Sequence, residues 1–314
     1  MGWNTAGARV LITGGTSGIG RATAVELARR GADVMITARD EAKGQATAEV
    51  IQAEAGVEVQ VGLPDLSRLG SVRRFATEYL ATHDRLDVLV NNAGTMTGRR
   101  TQTPDGLERT FGVNHLAPFL LTRLLTDLLV ASAPSPVISV SSELHRSAKQ
   151  GLDIADLQMT RGWSAQKAYA ASKLATVLMT VELDRRLADQ GVTSQAVHPG
   201  VVATNFGKGP EGRWLLRETM TTLGPLLKKP SAGTAPIVLL ATARRRCQPK
   251  PVLVRDHTDT AQPRGSGPPS GRCPVGGQRR TGRPRLKRRS ARSPRPRGPR
   301  HRPPRRRPVG HAGS

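Results

Sequence analysis

The chain has 314 residues and a formal charge of +24, but the charge is concentrated: residues 244–314 hold 22 Lys or Arg against only Asp256 and Asp259, which accounts for +20 of it. Residues 1–243 are therefore close to neutral and long enough for one α/β domain with a sizeable core, so the high pI describes a tail and not a fold. Both cysteines, Cys247 and Cys273, lie in the tail without Cys-x-x-Cys spacing, so neither a zinc site nor a structural disulfide is expected.

The N-terminus runs from Met1 into the first apolar stretch without a hydrophobic region of signal-peptide length, and Ala6 stands where a myristoylation signal wants Ser or Thr. No stretch is apolar for long enough to span a membrane. The expectation is a cytoplasmic chain without a membrane anchor.

Arg9–Thr13 reads as a short buried strand, followed at once by Gly14-Gly-Thr-Ser17-Gly18-Ile19-Gly20 and a helical pattern from Arg21 to Arg30. Glycines there let the backbone turn tightly and approach a pyrophosphate, whose charge the first helical amides can meet. A plain Gly-rich turn is the alternative for the loop alone; the strand before and helix after favour dinucleotide binding.

A second strand, Asp33–Ala38, ends in Ala38-Arg39, where an acid that reads a ribose would stand in an NAD site. A guanidinium suits a 2′-phosphate, which points to NADP over NAD, unless Arg39 is simply a solvated strand-end residue. Helical residues 41–54 and a strand Val57–Val61 lead to Asp65-Leu66 before a helix from Ser67 to Thr82. Asp65 can cap that helix, hydrogen-bond an adenine amine, or do both.

Leu86–Val90 is a fourth strand ending in Asn91-Asn92-Ala93-Gly94, where small residues permit close approach to a flat ligand and the amides can fix strand ends. The apolar helix beginning at Thr110 contains Asn114, whose side chain competes for backbone groups and so invites a functional explanation. Strand Pro136–Ser142 ends in two hydroxyls, and ligands of parallel sheets bind beyond such strand ends, although a serine there can equally satisfy backbone.

After a loop-like stretch from Glu143 to Lys167, Ala168–Leu183 reads as a helix with Tyr169 and Lys173 four residues apart on one face. A fixed ammonium beside a phenol favours the phenolate and makes Tyr169 a usable acid or base. A sixth strand, Val192–Val197, leads to His198-Pro199-Gly200. Strands alternating with helices throughout predict a single-domain Rossmann fold, a doubly wound parallel sheet. Residues Glu211–Leu227 carry an apolar stripe that is either core packing or a mobile helix over the site.

Taken in order, Thr13-Gly-x-x-x-Gly-Ile-Gly20, Asp65-Leu66, Asn91-Asn-Ala-Gly94, Asn114, Ser142, Tyr169-x-x-x-Lys173 and Pro199-Gly200 resemble the short-chain dehydrogenase/reductase family over about residues 8–243. Phe111-Gly-Val-Asn-His-Leu and Ala196-Val-His-Pro-Gly-Val look like its retinol dehydrogenase and WW-domain oxidoreductase branch. The resemblance implies an NADP-dependent oxidoreductase acting on a small-molecule carbonyl or alcohol, with no metal. Tyr169 would then be the general acid/base and Ser142, rather than Ser141, the group that polarises the carbonyl. Lys173 would lower the tyrosine pKa and bind the nicotinamide ribose, while Asn114 would order a relay water. Gly14, Ser17, Gly18, Ile19 and Gly20 would cradle phosphates and Asp65 and Asn92 lie near adenine. Val202 and Thr204 would meet the carboxamide and pyrophosphate, with Leu66, Ala93, Gly94, Pro199 and Gly200 also lining the cofactor.

The sequence departs from that family near Ala243, where a last strand and closing helices give way to Arg, Pro and Gly. The domain is thus expected to lack its usual last strand, and residues 244–314 to be disordered, because they cannot bury enough apolar surface to offset ordering. Such a composition is what an out-of-frame reading of GC-rich sequence yields, which re-sequencing through codon 314 tests. Two other readings compete: a catalytically silent relic with an unfinished sheet, and nucleic-acid binding through the tail. The tail has no aromatic residue for base stacking, so only non-specific phosphate contact is expected of it.

Overall fold

The computed structural model describes residues 5–200, 233–242 and 254–255. Its strands are β1 Arg9–Ile12, β2 Asp33–Thr37, β3 Gln60–Gly62, β4 Val88–Asn91, β5 Ser135–Val140, β6 Val192–His198 and β7 Val254–Arg255. All pair in parallel in the order β3-β2-β1-β4-β5-β6-β7. The order reverses between β1 and β4, the place where a doubly wound sheet opens a crevice at its C-terminal edge.

The helices are α1 Gly18–Arg29, α2 Glu41–Ala55, α3 Leu69–Thr82, α4 Arg109–Phe111, α5 Ala117–Leu124, α6 Thr126–Ala131, α7 Ala165–Leu187 and α8 Ala235–Thr242. Side-chain alternation along the strands divides the core between two layers of them. Val10, Ile12, Val34, Ile36, Val90 and Ile138 pack with α1, α2 and α8. Leu11, Leu89 and Val137 pack with α3, α5, α6 and α7 on the other face. Every residue of β4 and β5 is buried, as expected of central parallel strands covered on both faces.

All six expected strands form, with shifted boundaries. β3 starts at Gln60 because Gly56, at φ +76°, ends α2 in a left-handed cap and the chain needs Val57–Val59 to reach β2, where Met35 meets Gln60. α1 opens at Gly18, inside the glycine loop, and not at Arg21. α7 begins at Ala165, three residues before the expected start, because the Ser164 hydroxyl accepts the Lys167 amide at 3.2 Å and caps it.

The expectation of a sheet without its last strand is corrected by β7, whose two residues pair with β6 as Val197 with Val254 and His198 with Arg255. β6 otherwise presents an open edge, and Val252-Leu-Val254 is the last strand-forming run in the chain. Val202, Thr204, the apolar stripe at 211–227 and nearly all of the basic tail lie outside the described residues. Among the described residues, no helix is long and apolar enough to cross a membrane.

Between α4 and α5 the chain makes one π turn, Gly112–Leu116. Pro118 follows, and its ring has no N–H to offer the carbonyl of Asn114 four residues back. The widened turn is where the sequence's mid-helix asparagine sits.

Candidate active site

The loop after β1 is held by Thr13 and Asn92. The Thr13 hydroxyl accepts the amides of Asn92 and Ala93 at 3.0 and 3.1 Å. The Asn92 side-chain amide donates to the carbonyls of Thr13 and Gly14 at 2.8 and 3.1 Å. Both Asn92 donors thus fasten β4 to the glycine loop. Gly14 has φ +67°, and a Cβ there would lie 2.9 Å from the Ala93 Cα. A Cβ on Gly20 would lie 2.4 Å from the Gly14 carbonyl oxygen, so helix and loop pack as closely as backbones can.

Ser17 stands in extended conformation at the N-cap of α1 and makes no side-chain cap hydrogen bond. The first-turn amides are left without that partner at the C-terminal edge of the sheet, the arrangement that receives a phosphate. Gly18 supports the turn at φ +57°, and Ile19 leans on the core.

Arg39 is exposed at the end of β2, and its charge reaches Asp65. Burial alone would raise the Asp65 pKa, but hydrogen bonds from the Ser67 hydroxyl and amide, with the charges of Arg39 and Arg68, hold it below the ordinary carboxylate value. Asp65 does not cap α3. Its Oδ1 accepts Ser67 N and Oγ at 2.9 and 2.7 Å, while Asp105 accepts the Leu69 amide at 2.7 Å. The Leu66 side chain is buried in the core layer with Val72 and Phe75.

Asn114 joins three segments. Its Oδ1 accepts the Thr95 amide at 2.7 Å, and its Nδ2 donates to the Thr95 carbonyl at 2.9 Å and to Ser172 Oγ at 3.1 Å. Ser172 in turn donates to the Tyr169 carbonyl at 2.7 Å. The side chain is therefore a brace between the loop after β4 and α7.

Tyr169 and Lys173 share a face of α7, with the Lys173 Nζ 5.5 Å from the tyrosine ring centre. Burial pushes the Tyr169 pKa up to about 12, against a hydrogen bond with the Ser142 side chain that favours the phenolate. Lys173 is buried, and burial pulls its pKa down to about 8. Its Nζ donates to the Val140 carbonyl at 2.7 Å. Burial therefore dominates the Tyr169 pKa here, while the Lys173 ammonium is drawn to the end of β5.

The two serines after β5 separate clearly. Ser141 is buried and donates to the Lys173 carbonyl at 3.0 Å, whereas Ser142 is half-buried, meets Tyr169 and accepts the Leu144 amide at 3.3 Å. Gly94 brings the loop after β4 against this group, since a Cβ on it would come 3.4 Å from Asn114 Oδ1 and 3.7 Å from Lys173 Nζ. Pro199 and Gly200, the latter at φ +79°, end β6 at the same edge.

A family model for short chain dehydrogenases matches residues 8–211. The chain belongs to the short-chain dehydrogenases. Human retinol dehydrogenase 13 is 44% identical over 245 residues, which cover 76% of this chain and 72% of the relative. Mouse retinol dehydrogenase 14 is 46% identical over 213 residues, 64% of this chain and 63% of the relative, so less than two thirds of that protein is spanned. These place the chain in the retinol dehydrogenase-like branch, among oxidoreductases of alcohols and carbonyls. A crystal structure of a short chain dehydrogenase from Burkholderia cenocepacia J2315 in complex with NADP matches with a TM-score of 0.62 at 27% identity, over 81% of this chain and 98% of that one.

Sequence reasoning about this short-chain dehydrogenase missed the use of three residues that hold the site together: Thr13, Thr95 and Ser172. Small hydroxyls beside a motif are too common to single out. Position did carry a signal for two of them, since Thr13 adjoins the first glycine and Ser172 adjoins Lys173.

Proposed function

We propose that this short-chain dehydrogenase interconverts an alcohol and a carbonyl compound with an apolar body, using NADP(H), with Tyr169 as the proton donor or acceptor. The observation that carries the reading is the hydrogen bond between Tyr169 and Ser142 with Lys173 on the same helix face. The uncapped start of α1, the close-packed Gly14 and Gly20 and the exposed Arg39 fit a dinucleotide phosphate chain with a 2′-phosphate. The names of the relatives, retinol dehydrogenases, support an alcohol substrate of apolar character.

When bound, the nicotinamide supplies or takes up a hydride at the substrate carbon. In the reducing direction Ser142 donates a hydrogen bond to the carbonyl oxygen while Tyr169 delivers its phenolic proton to that oxygen, which leaves a phenolate and an alcohol. A tyrosine pKa near 12 keeps that proton in place at neutral pH. Lys173 has three N–H groups and directs one to Val140, leaving donors for a ribose and a charge to stabilise the phenolate. Oxidation runs the same steps backwards.

The test is reduction of an apolar aldehyde by the full chain with NADPH, beside Tyr169→Phe. Loss of general acid catalysis is expected to lower kcat by roughly 10²–10⁴-fold with NADPH binding retained. Full activity in Tyr169→Phe would sink the assignment.

A further inference from the structure

Glu108 is 0% exposed and has no part in the chemistry above. Its carboxylate accepts two N–H groups that belong to different segments: the Phe111 amide at 2.6 Å, which caps α4, and the indole Nε1 of Trp163 at 3.3 Å. Its own backbone amide donates to Gln158 Oε1, and the Gln158 carbonyl accepts both Nε and Nη2 of Arg100. Trp163 directly precedes Ser164, the cap of α7, and Tyr169 stands five residues further on. One carboxylate therefore ties the start of the segment that bears Asn114 to the start of the helix that bears Tyr169.

The first turns of α7 need such a tie. Their buried residues are Ala165, Ala168, Ala170 and Ala171, while Gln166 and Lys167 are exposed. Small side chains bring little apolar surface to the core, and the large anchors, Met179, Leu183 and Leu187, come two or more turns later. The Asn114 to Ser172 bond spans the two helices and is made only while their starts keep their offset. Packing alone leaves that offset weakly fixed, whereas a buried carboxylate with two N–H donors fixes it at both ends.

We propose that Glu108 is a positioning residue, which through Phe111 and Trp163 sets the placement of Tyr169 against Asn114 and Ser142. The proposal rests on the reading of Tyr169 as the proton donor. Glu108→Gln keeps the shape but offers one acceptor oxygen, and its NH2 faces one of the two N–H donors. Trp163→Phe removes the indole donor and leaves the Phe111 cap in place.

The experiment uses the full chain, well below its thermal transition, with both variants and the double variant. Expected are a 10- to 100-fold fall in kcat for Glu108→Gln, a fall in the same direction for Trp163→Phe, NADPH affinity within twofold of the parent, and a double variant no worse than the more impaired single. Hydrogen exchange of amides 165–171 should quicken at least fivefold in each variant, with α1 unchanged. An unchanged kcat, losses that multiply, or a fall in kcat accompanied by faster exchange throughout the chain would overturn the proposal. If the parent binds NADPH but reduces no carbonyl, the functional reading fails, and exchange alone decides the tie: quickening confined to 165–171 supports it and unchanged exchange overturns it.

Discussion

Replacing Lys173 by Met should make the protein more stable at neutral pH while it abolishes turnover. Lys173 is 3% exposed, and burial lowers its pKa from 10.5 to about 8. At about 1.4 kcal/mol per pKa unit, holding the ammonium charged in that setting costs on the order of 3 kcal/mol at pH 7. Met keeps the apolar length without the charge but leaves the Val140 carbonyl without its donor, which returns about 1–3 kcal/mol. The net expectation is a gain of up to about 2 kcal/mol, which at roughly 2–4 °C per kcal/mol for a chain of this size raises Tm by up to roughly 8 °C. The sign of the pH dependence follows from the depressed pKa. Between about pH 8 and 10.5 the folded state has released the proton that the unfolded state still binds, so the parent gains stability as pH rises. Tyr169 titrates oppositely and later, but it is common to both proteins and cancels in their difference. Thermal unfolding of parent and Lys173→Met, without nucleotide, at pH 7, 8, 9 and 10 measures that difference. The reasoning is refuted if the variant is no more stable at pH 7, or if its advantage does not shrink as pH rises.

Two further substitutions address the cofactor loop and its selectivity. Gly20→Ala forces a methyl to 2.4 Å from the Gly14 oxygen and 2.5 Å from Asn92 Nδ2, so it should weaken NADPH binding at least 10-fold by calorimetry. Gly70→Ala, with nothing within 4 Å of the added Cβ, should leave binding unchanged. Arg39→Ala should weaken NADPH binding by on the order of 10-fold, the loss of one charge-assisted contact, and leave NADH binding unaltered.

The sheet was legible because its strands are short apolar runs with breakers between them, and because buried parallel strands tolerate little else. Tyr169 and Lys173 could be placed by helical periodicity, and the end of β5 marked the pair Ser141 and Ser142, between which only the family resemblance chose. What the sequence hid was the use of each side chain. Asn92 reads as a ligand contact, but the nearest acceptors to its amide are the Thr13 and Gly14 carbonyls, a proximity created only when β1 and β4 pair. Lys173 reads as the partner of Tyr169, yet its long side chain reaches the Val140 carbonyl across the gap between α7 and β5. Asn114 was flagged by its poor helix propensity, although the π turn itself depends on Pro118 four residues later. Glu108 gave no signal at all, since a single glutamate ahead of a helix reads as a solvated residue until the fold brings Trp163 onto it. β7 was missed because two residues of strand are too few for a period-two pattern to register.

The most direct test of the account is transfer of label from NADPH carrying deuterium at the reactive nicotinamide position to an apolar aldehyde, followed by mass spectrometry of the alcohol. The account predicts one deuterium on the carbinol carbon with the parent protein and none above background with Tyr169→Phe. An unlabelled alcohol from the parent, or equal labelling by the two proteins, would contradict it.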